Sequence, residues 1–365
     1  MPNYIVRLSV IVLVTLDIFL TPSTASALPV FAHRYGFSCQ QCHTTVPQLN
    51  TFGQKFLRNG FRLDGARTVE PVAVKVQTAY SSGGQGGGLP KAIVDEVEIL
   101  SAGSIGRNTS YFFEQYAVDG GEPGRPRDMW VELHRPLGNA TGTELRARVG
   151  QFTLPLPVDP ETQRPTLQHY AVFDQTVGAN AFTLFDPRTG ADFSVTNDNA
   201  GLTVHAVVVQ AVDRGSGLAS AGVDLMGSVS KSIGSNWTAY AYRYQGARPL
   251  GPVRDRFYRE GWALDFSRGK LGTTAVLQNG SDTSADGFGL GARSSGGFVQ
   301  TGWAFNAGLA LYARYDEAYD PLGLRTTTGT LSLVTRPRRN MRFTLEGMRG
   351  TDHTYQLGAG LLFAY

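Results

Sequence analysis

Five consecutive residues, Cys39-Gln40-Gln41-Cys42-His43, carry the most specific chemistry in this sequence. In a C-x-x-C-H pattern the two thiols attach a c-type haem covalently, and the histidine binds the haem iron as the proximal axial ligand. The other uses of a C-x-x-C pair are a disulfide, a redox dithiol and half of a zinc site. A zinc site needs four ligands, and the chain has only these two cysteines among its 365 residues. We therefore predict one haem c, attached to Cys39 and Cys42 and ligated by His43.

The N-terminus predicts export from the cytoplasm. Arg7 provides a positive start, residues 8–20 are largely apolar, and Ala25-Ser26-Ala27 is a small-residue cleavage pattern. The apolar stretch is too short to span a bilayer as a helix. We predict that residues 1–27 are a signal peptide that is cleaved before Leu28. Because bacteria attach c-type haem after export, the signal peptide and the haem motif agree.

Strand-like alternation of apolar and polar residues recurs through the rest of the chain. In the last predicted strand one face carries Tyr355, Leu357, Ala359, Leu361, Phe363 and Tyr365. The other face carries Gln356, Gly358, Gly360, Leu362 and Ala364, of which only Leu362 is large and apolar. Alternation over about ten residues is typical of transmembrane β-barrel strands, which place apolar side chains toward lipid and polar side chains toward the lumen.

Arginine and aromatic residues help to distinguish a barrel from a β-sandwich. Arginines at positions 146, 148, 243, 314 and 342 lie mid-strand on the phase opposite the apolar residues. They would face solvent in a sandwich and a water-filled lumen in a barrel. Tyr240, Tyr242 and Tyr244 share one face, and most strands carry an aromatic residue near an end, as interfacial girdles require. We therefore predict an all-β fold, a transmembrane antiparallel β-barrel.

About sixteen strands are predicted over residues 71–365, with 14 or 18 as alternatives. The candidates lie near residues 72–80, 91–101, 107–118, 128–135, 142–152, 188–197, 200–211, 218–230, 235–246, 256–267, 270–279, 296–306, 308–316, 325–336, 340–349 and 353–365. The stretch Leu154–Asp186 is the exception, because its prolines exclude a central strand. A long irregular segment inside a barrel chain is usually functional, so we predict an infolded loop or lid there.

Residues 28–70 precede the barrel and contain the haem motif. Pro47 marks a helix start, and Gly60 is suited to a left-handed cap at the helix end. An apolar stripe at helical spacing comprises Leu49, Phe52 and Phe56. So short a segment cannot fold alone without a cofactor or partner, and a barrel of sixteen strands encloses an open channel unless something fills it. We predict that this α-helical haem segment is a plug in, or across the mouth of, the barrel.

The stretch Phe31–Thr44, together with Pro47-Gln48-Leu49-Asn50, Phe52-Gly53 and Asn59-Gly60-Phe61, resembles the monohaem cytochrome–porin fusions of the bacterial outer membrane. Some members of that family are iron-oxidising outer-membrane cytochromes. The matching residues lie between positions 29 and 63, and family members usually carry a basic residue where this chain has His33. The resemblance implies contact with outer-membrane lipid and Fe(II) as an extracellular electron donor. It also implies a periplasmic electron acceptor, for which a soluble cytochrome c is suited.

The candidates for the iron position opposite His43 include the other five histidines, at positions 33, 134, 169, 205 and 353. His33 is the nearest histidine in sequence, and its alternative role is a hydrogen-bonding residue in an N-terminal arm. His134 and His205 fall on the lumen phase of their strands, which favours an ordinary lumen role for both. The methionines at 129, 226, 341 and 348 are further candidates. Methionine ligation would raise the reduction potential relative to a bis-histidine haem.

Acidic side chains on the predicted lumen face could bind cations. These are Asp95, Glu96, Glu98, Glu114, Glu132, Glu144 and Glu346. Carboxylates are hard ligands suited to ferrous or manganous ions, but porin interiors are polar in any case and the arginines would pair with these acids. We predict no metal site beyond the haem.

Two functions remain open at this level. One is an electron conduit that spans the outer membrane and passes electrons from an extracellular donor to the periplasm, with an Fe(II)-oxidising activity among its outcomes. The other is a diffusion porin or substrate-specific channel whose haem segment plugs, gates or senses. No nucleophile–base constellation supports hydrolysis or group transfer, and a net charge of +3 without a basic stripe does not support nucleic-acid binding. We favour the conduit, with the haem segment on the periplasmic side or inside the barrel.

Overall fold

The computed structural model describes most of the barrel and part of the N-terminal segment. The described residues are 31, 35, 37, 39–45, 48–58, 61, 72–82, 91–106, 108–137, 142–212, 219–320, 324–338, 340–351 and 355–364. The predicted signal peptide, His33, Pro47, Gly60 and Tyr365 lie outside them. Within the described residues, none of the helices has both the length and the apolar character needed to cross a membrane.

The N-terminal segment contains two helices and two short strands. They are α1 (Cys39–Cys42), β1 (His43–Thr45), β2 (Gln48–Leu49) and α2 (Thr51–Arg58). β1 and β2 pair antiparallel, with His43 opposite Leu49. The predicted helix start at Pro47 was therefore wrong, because α2 begins at Thr51 and Leu49 lies in a strand. The physical reason is the Asn50 side chain, whose Oδ1 accepts a hydrogen bond from the Gly53 N–H (2.9 Å) and caps the helix.

The remaining strands form one closed antiparallel barrel. They are β3 (Val72–Ser81), β4 (Lys91–Ser104), β5 (Thr109–Asp119), β6 (Glu122–Pro123), β7 (Pro126–Pro136), β8 (Thr143–Phe152), β9 (Arg188–Asn197), β10 (Leu202–Val212), β11 (Ala219–Ile233), β12 (Trp237–Leu250), β13 (Val253–Arg268), β14 (Leu271–Asp282), β15 (Ala292–Asn306), β16 (Leu309–Asp320), β17 (Leu324–Thr335), β18 (Met341–Gly350) and β19 (Tyr355–Ala364). β6 and β7 are two pieces of one strand, since both pair with β5. The predicted barrel of sixteen strands is confirmed.

The barrel closes where β19 pairs with β3, with Ala364 opposite Lys75. Because the strand number is even, the chain enters and leaves the barrel at the same end. We call this end the terminal rim, marked by Val72 and Ala364, and the opposite end the loop rim, marked by Ser81 and Tyr355.

The predicted alternation is confirmed in β19. Tyr355 and Leu357 are exposed on the outer surface, whereas Gly360 and Ala364 face inward and are buried. Aromatic side chains are exposed on the outside near both rims. Near the terminal rim they are Trp237, Trp303, Phe305 and Phe363, and near the loop rim they are Tyr80, Tyr315, Tyr319 and Tyr355. The outer surface therefore has an apolar band between two aromatic girdles, as a membrane-spanning barrel requires.

Two predictions about strand β12 were wrong. Tyr242 and Tyr244 do not belong to a girdle, because both are buried inside the barrel and their hydroxyls donate to Gln278 (2.8 Å) and Asp224 (2.6 Å). Arg243 lies between them and therefore faces outward rather than into the lumen. Its guanidinium pairs with Glu260 across to β13, 2.7 Å away.

A long connection between β8 and β9 folds back into the barrel. We call residues 153–187 the inserted loop; the chain there contains one short helix, α3 (Ala171–Asp174), and one isolated bridge between Val177 and Asn180. No barrel strand interrupts it within these described residues. The predicted infolded loop is confirmed, and its prolines explain why strand pairing stops there.

Candidate functional site

The haem motif lies on a helical turn followed by an extended residue. Cys39 begins α1, Cys42 ends it, and His43 begins β1. The Cys42 side chain is buried at 5% exposure, and His43 is half-buried. The Asn50 N–H donates to the Cys42 carbonyl (2.9 Å), and Asn50 Nδ2 donates to the Gln41 carbonyl (3.1 Å). Asn50 therefore joins the end of α1 to the start of α2.

Gly53 allows α2 to pack directly against the motif. A Cβ atom at Gly53 would lie 2.0 Å from the Cys42 carbonyl oxygen, so any larger residue would push the two helices apart. Asn50 and Gly53 both belong to the stretch that carries the family resemblance, but neither was predicted to have a role in the site. A detectable signal was present, because asparagine is a preferred N-cap that accepts from the third helical residue, here Gly53.

A stack of aromatic rings joins the N-terminal segment to the barrel wall. This aromatic stack comprises Phe31, Phe56, Phe61, Phe112 and Trp130. The Phe31 and Phe61 ring centroids are 4.7 Å apart, Phe61 lies 5.4 Å from Phe112 of β5, and Phe112 lies 5.7 Å from Trp130 of β7. Such pairs contribute about 0.5–1.5 kcal/mol each beyond the burial of their area. The segment is thus anchored to the inner wall through rings.

Phe61 has an unusual backbone for an aromatic residue, with a φ of 61°. Its N–H donates to the Phe56 carbonyl (2.9 Å), which closes the end of α2. A bulky residue in the left-handed region costs of order 1–3 kcal/mol. The ring contacts with Phe31, Phe112 and Trp130 offset that cost, because this backbone places the Phe61 ring against the wall.

Cys42 and His43 line a cavity of about 420 Å³ that they share with the barrel lumen. One part of its wall is apolar and comes from Phe56, Leu57, Phe61, Phe112, Trp130, Leu154 and Leu362. The other part is ionic and includes Lys75, Glu96, Glu98, Glu114, Glu132, Arg146, Arg148 and Arg342. The apolar walls suit a flat porphyrin ring, and the cationic side chains suit its carboxylates. The residues around Cys42 and His43 therefore fit a haem.

The acidic residues predicted on the lumen face come together on neighbouring strands. Lys75 pairs with Glu96 (3.0 Å) and with Glu98, while Glu132 accepts from Arg148 (2.7 Å). Glu114 is 1% exposed, neither carboxylate oxygen has a hydrogen-bond partner among the residues that the structure describes, and Arg127 Nε lies 3.9 Å away. In the part of the chain that the structure describes, no group of three or more His, Cys, Asp or Glu side chains is arranged to hold a metal ion.

The two lumen histidines differ in their surroundings. His134 is 2% exposed and uses both ring nitrogens, with Nε2 2.8 Å from Ser110 Oγ and Nδ1 2.7 Å from Glu144. His205 uses only Nδ1, which lies 2.9 Å from Asp192, and the side chain lines the same cavity as His43. Their predicted lumen placement is confirmed. His33 lies outside the described residues.

Polar contacts hold the inserted loop inside the barrel. Glu346 of β18 accepts from the Leu167 N–H (2.8 Å) and the Gln168 N–H (2.9 Å). Arg314 of β16 donates to the Gln168 and His169 carbonyls at 2.9 and 2.8 Å. Further along the loop, Asn180 Nδ2 donates to Asp255 and Asp282, both at 2.9 Å. The loop is therefore fixed to the far side of the lumen from the strand that it leaves.

The inserted loop lies between two cavities of the lumen. The second cavity, of about 370 Å³, lies toward the loop rim, and Arg164 and Leu167 line both. Arg164 is held by the carbonyls of its own loop, with Nη1 2.9 Å from the Thr166 oxygen. Leu167 packs on β19, where a Cβ at Gly360 would lie 2.6 Å from Leu167 Cδ2. Arg164 and Leu167 therefore form the partition of the lumen.

Burial and neighbouring charges shift the pKa of Glu161, in the inserted loop, in opposite directions. Burial by itself raises the pKa of Glu161, but the positive charges of Arg164 and then Arg127 more than offset this, so that the pKa is lowered to about 2. Glu161 Oε1 lies 3.4 Å from Arg164 Nη2. The carboxylate is thus charged at neutral pH and helps to hold the partition arginine.

Comparison with known proteins identifies the fold. No protein-family model matches the chain, and no curated protein matches it. Among solved structures, the anion-selective porin from Comamonas acidovorans superposes with a TM-score of 0.62 at 12% identity, covering 81% of this chain and 99% of the porin. OmpF of Salmonella typhi gives 0.61 at 11% identity, covering 81% and 97%. The outer-membrane channel DcaP of Acinetobacter baumannii gives 0.55 at 10% identity, again covering 81% and 97%. The chain therefore has the porin fold.

Proposed function

We propose that this protein is a porin-like outer-membrane barrel that carries one haem c in its N-terminal segment and transfers electrons between an extracellular donor and a periplasmic acceptor. One observation carries the proposal. Cys42 and His43 of the C-x-x-C-H motif line a cavity whose other walls are the lumen side chains of the barrel. A haem at this motif would lie at the terminal rim, between the periplasm and the lumen.

Each part of the site has a role toward a bound haem. Cys39 and Cys42 would attach it, and His43 would ligate its iron. Asn50 and Gly53 hold the turn that carries these residues against α2. The aromatic stack excludes water from one side, while Arg146, Arg148 and Arg342 offer positive charge to the propionates. A bound haem supplies one-electron redox chemistry, and the protein supplies its position and electrostatic surroundings.

The barrel exterior supports a place in the outer membrane. The apolar band and the two aromatic girdles match a surface in contact with lipid. With both ends of the barrel chain at the terminal rim, the N-terminal segment faces the periplasm in the orientation usual for bacterial barrels, whose longer loops are extracellular. A soluble cytochrome c would then be the acceptor at that rim.

Fe(II) is the donor that the family resemblance implies. The acidic cluster of Glu96, Glu98, Glu114 and Glu132 would make the lumen attractive to a cation, since carboxylates are hard ligands. Fe(II) is here a substrate that reaches the lumen. An oxidoreductase acting on Fe(II) is the most specific form of the proposal.

A solute channel is the second candidate, and the likeness to porins favours it. The two cavities on either side of Arg164 and Leu167 would then be vestibules of a pore. In this function the haem segment plugs or gates the channel and does not transfer electrons across the membrane.

Proteoliposomes would test the proposal. The protein is produced in a host that attaches c-type haem, inserted into vesicles that contain oxidised soluble cytochrome c, and exposed to Fe(II) or another impermeant reductant outside. We expect reduction of the trapped cytochrome by wild type and none by Cys42→Ser vesicles. Wild-type protein without covalent haem would refute the proposal, and solute conductance in planar bilayers without electron transfer would establish the channel instead.

A further inference from the structure

We propose that His205, on the barrel wall, is the second axial ligand of the haem iron, opposite His43. This inference rests on the proposed haem and deepens it, because it makes the barrel a part of the redox centre. Haem would then bridge two parts of the molecule, the N-terminal segment through His43 and strand β10 through His205.

The first support is position. His205 lies three residues from the start of β10 at the terminal rim, and it lines the same cavity as Cys42 and His43. Lys55 of α2 reaches the turn that joins β9 to β10 and pairs with Asp198 at 2.9 Å. The helix that packs against the haem motif is therefore tied to the hairpin that carries His205.

The second support is the chemistry of the ring. His205 Nδ1 lies 2.9 Å from one oxygen of Asp192 and 3.1 Å from the other. A carboxylate at Nδ1 holds the proton there and leaves the lone pair on Nε2, which is the arrangement found in metal-binding histidines. Among the described residues, His205 Nε2 has no hydrogen-bond partner, and the side chain is 22% exposed. Asp192 thus prepares Nε2 as a ligand.

The third support is the room that the cavity leaves beside the His205 ring. The residues opposite His205 on the neighbouring strands are Ser194 and Ser228, and Thr203 and Ser230 form the next pair toward the rim. All four line the cavity. Small side chains around a single imidazole leave room for a large flat group beside it, whereas the lumen at β5 and β7 is filled by Phe112 and Trp130.

The other described candidates are less suited to the position. His134 has both ring nitrogens engaged, and His169 and Met348 line the second cavity rather than the first. Met129 is exposed on the outer face. Met341 borders the cavity, but it lies opposite Phe363 on the outward register of β18. Met226 is buried on β11 but borders neither cavity. His205 is therefore the described candidate whose ring and location both suit ligation.

Optical and electron paramagnetic resonance spectra of the purified, haem-loaded full chain would test this ligation. We expect wild type to be six-coordinate and low-spin. His205→Ala should retain covalent haem, judged by haem-stained gels, but become high-spin, and added imidazole should restore the low-spin spectrum. His205→Met should remain low-spin with a raised potential, because methionine raises the potential relative to histidine. Heat-modifiable migration on gels would verify that each barrel is folded.

Two matched variants make the result decisive. His134→Gln removes the other lumen histidine and should leave the spectrum low-spin, and His33→Ala tests the ligand nearest in sequence. A His205→Ala protein that stays low-spin would overturn the assignment of His205 while the haem itself stands. The same conclusion would follow if His33→Ala were the one variant that becomes high-spin. A high-spin wild type would overturn it as well. Wild type without haem would remove the proposed function and this ligation together.

Discussion

Two parts of the chain enter the same barrel and are held there by different forces. The N-terminal segment docks through the rings of the aromatic stack, and its described residues add the exposed ion pair of Lys55 and Asp198. The inserted loop docks through buried polar contacts with Glu346, Arg314, Asp255 and Asp282. The interface of the N-terminal segment consists mainly of non-directional apolar contacts, whereas the interface of the inserted loop fixes individual backbone groups by hydrogen bonds.

This difference suits the proposed function. Apolar contacts have no fixed partner atoms, so a wall of rings can adapt to a large apolar cofactor beside it. Hydrogen bonds to the carbonyls and N–H groups of the inserted loop instead fix the positions of its backbone atoms, because hydrogen bonds have narrow limits of distance and angle. Such fixed positions suit a partition that narrows the lumen at Arg164. The N-terminal segment is thus held mainly by apolar ring contacts, and the inserted loop by directional hydrogen bonds.

The largest expected effect comes from the motif itself. Replacing Cys39 or Cys42 with serine removes a thioether, so we expect almost complete loss of normal doubly linked haem. His43→Ala should remove the proximal ligand and change the visible spectrum. Haem-stained gels and absorption spectra measure both effects, with the barrel fold verified by heat-modifiable migration. Unchanged haem content in Cys42→Ser would contradict the central assignment.

The aromatic stack predicts a strong effect on docking of the N-terminal segment alone. Phe61→Ala removes a buried ring that contacts Phe31, Phe112 and Trp130, which corresponds to about 3 kcal/mol of lost packing. We expect rapid proteolysis of the N-terminal segment with an intact inserted loop and barrel. The exposed residue Thr51→Ala is a matched control on α2. Equal protection of both variants would show that rings do not dock the segment.

The inserted loop should respond to loss of its polar partners. Glu346→Ala leaves the Leu167 and Gln168 N–H groups without their acceptor, at about 1–3 kcal/mol for each buried donor. We expect faster cleavage within the loop and a larger conductance in planar bilayers, since Leu167 helps to form the partition. Leu345→Ala, its outward neighbour, should change neither quantity. A conductance equal to wild type would place the partition elsewhere.

The smallest expected effect is a decrease in the stability of the inserted loop at acidic pH. The folded pKa of Glu161 is about 2 and lies below its ordinary value, so its contribution to stability is present at pH above about 4.5. That contribution falls as the pH decreases through about 2, because the proton binds the unfolded form more readily. Protection of the loop from an acid-active protease should therefore decline over this range in wild type. Glu161→Gln should be less protected at neutral pH and show a flatter profile.

Much of the barrel could be predicted from local pattern, because side chains alternate with a period of two and the lipid face must be apolar. The sixteen strands and the proline-rich inserted loop follow from this rule. Tyr242 and Tyr244 show its limit. Their strand alternates these tyrosines with Ala241, Arg243 and Gln245, so the tyrosine face is the more apolar one and local pattern assigns it to lipid. Tyr244 faces inward, where its ring centroid lies 4.5 Å from that of Phe182 of the inserted loop and its hydroxyl donates to Asp224.

The amino-acid sequence by itself determined the class of fold, since alternation is a local property. It also supplied the motif on which the proposed haem rests, since five adjacent residues form it. Only the tertiary structure decided which distant residues meet the motif. Gly53 and Asn50 matter because α2 packs back on Cys42, and His205 enters the proposed ligation because the barrel places it in the cavity that His43 also lines. These contacts depend on strand register and on the two inserted parts of the chain, and neither is encoded in the spacing of neighbouring residues.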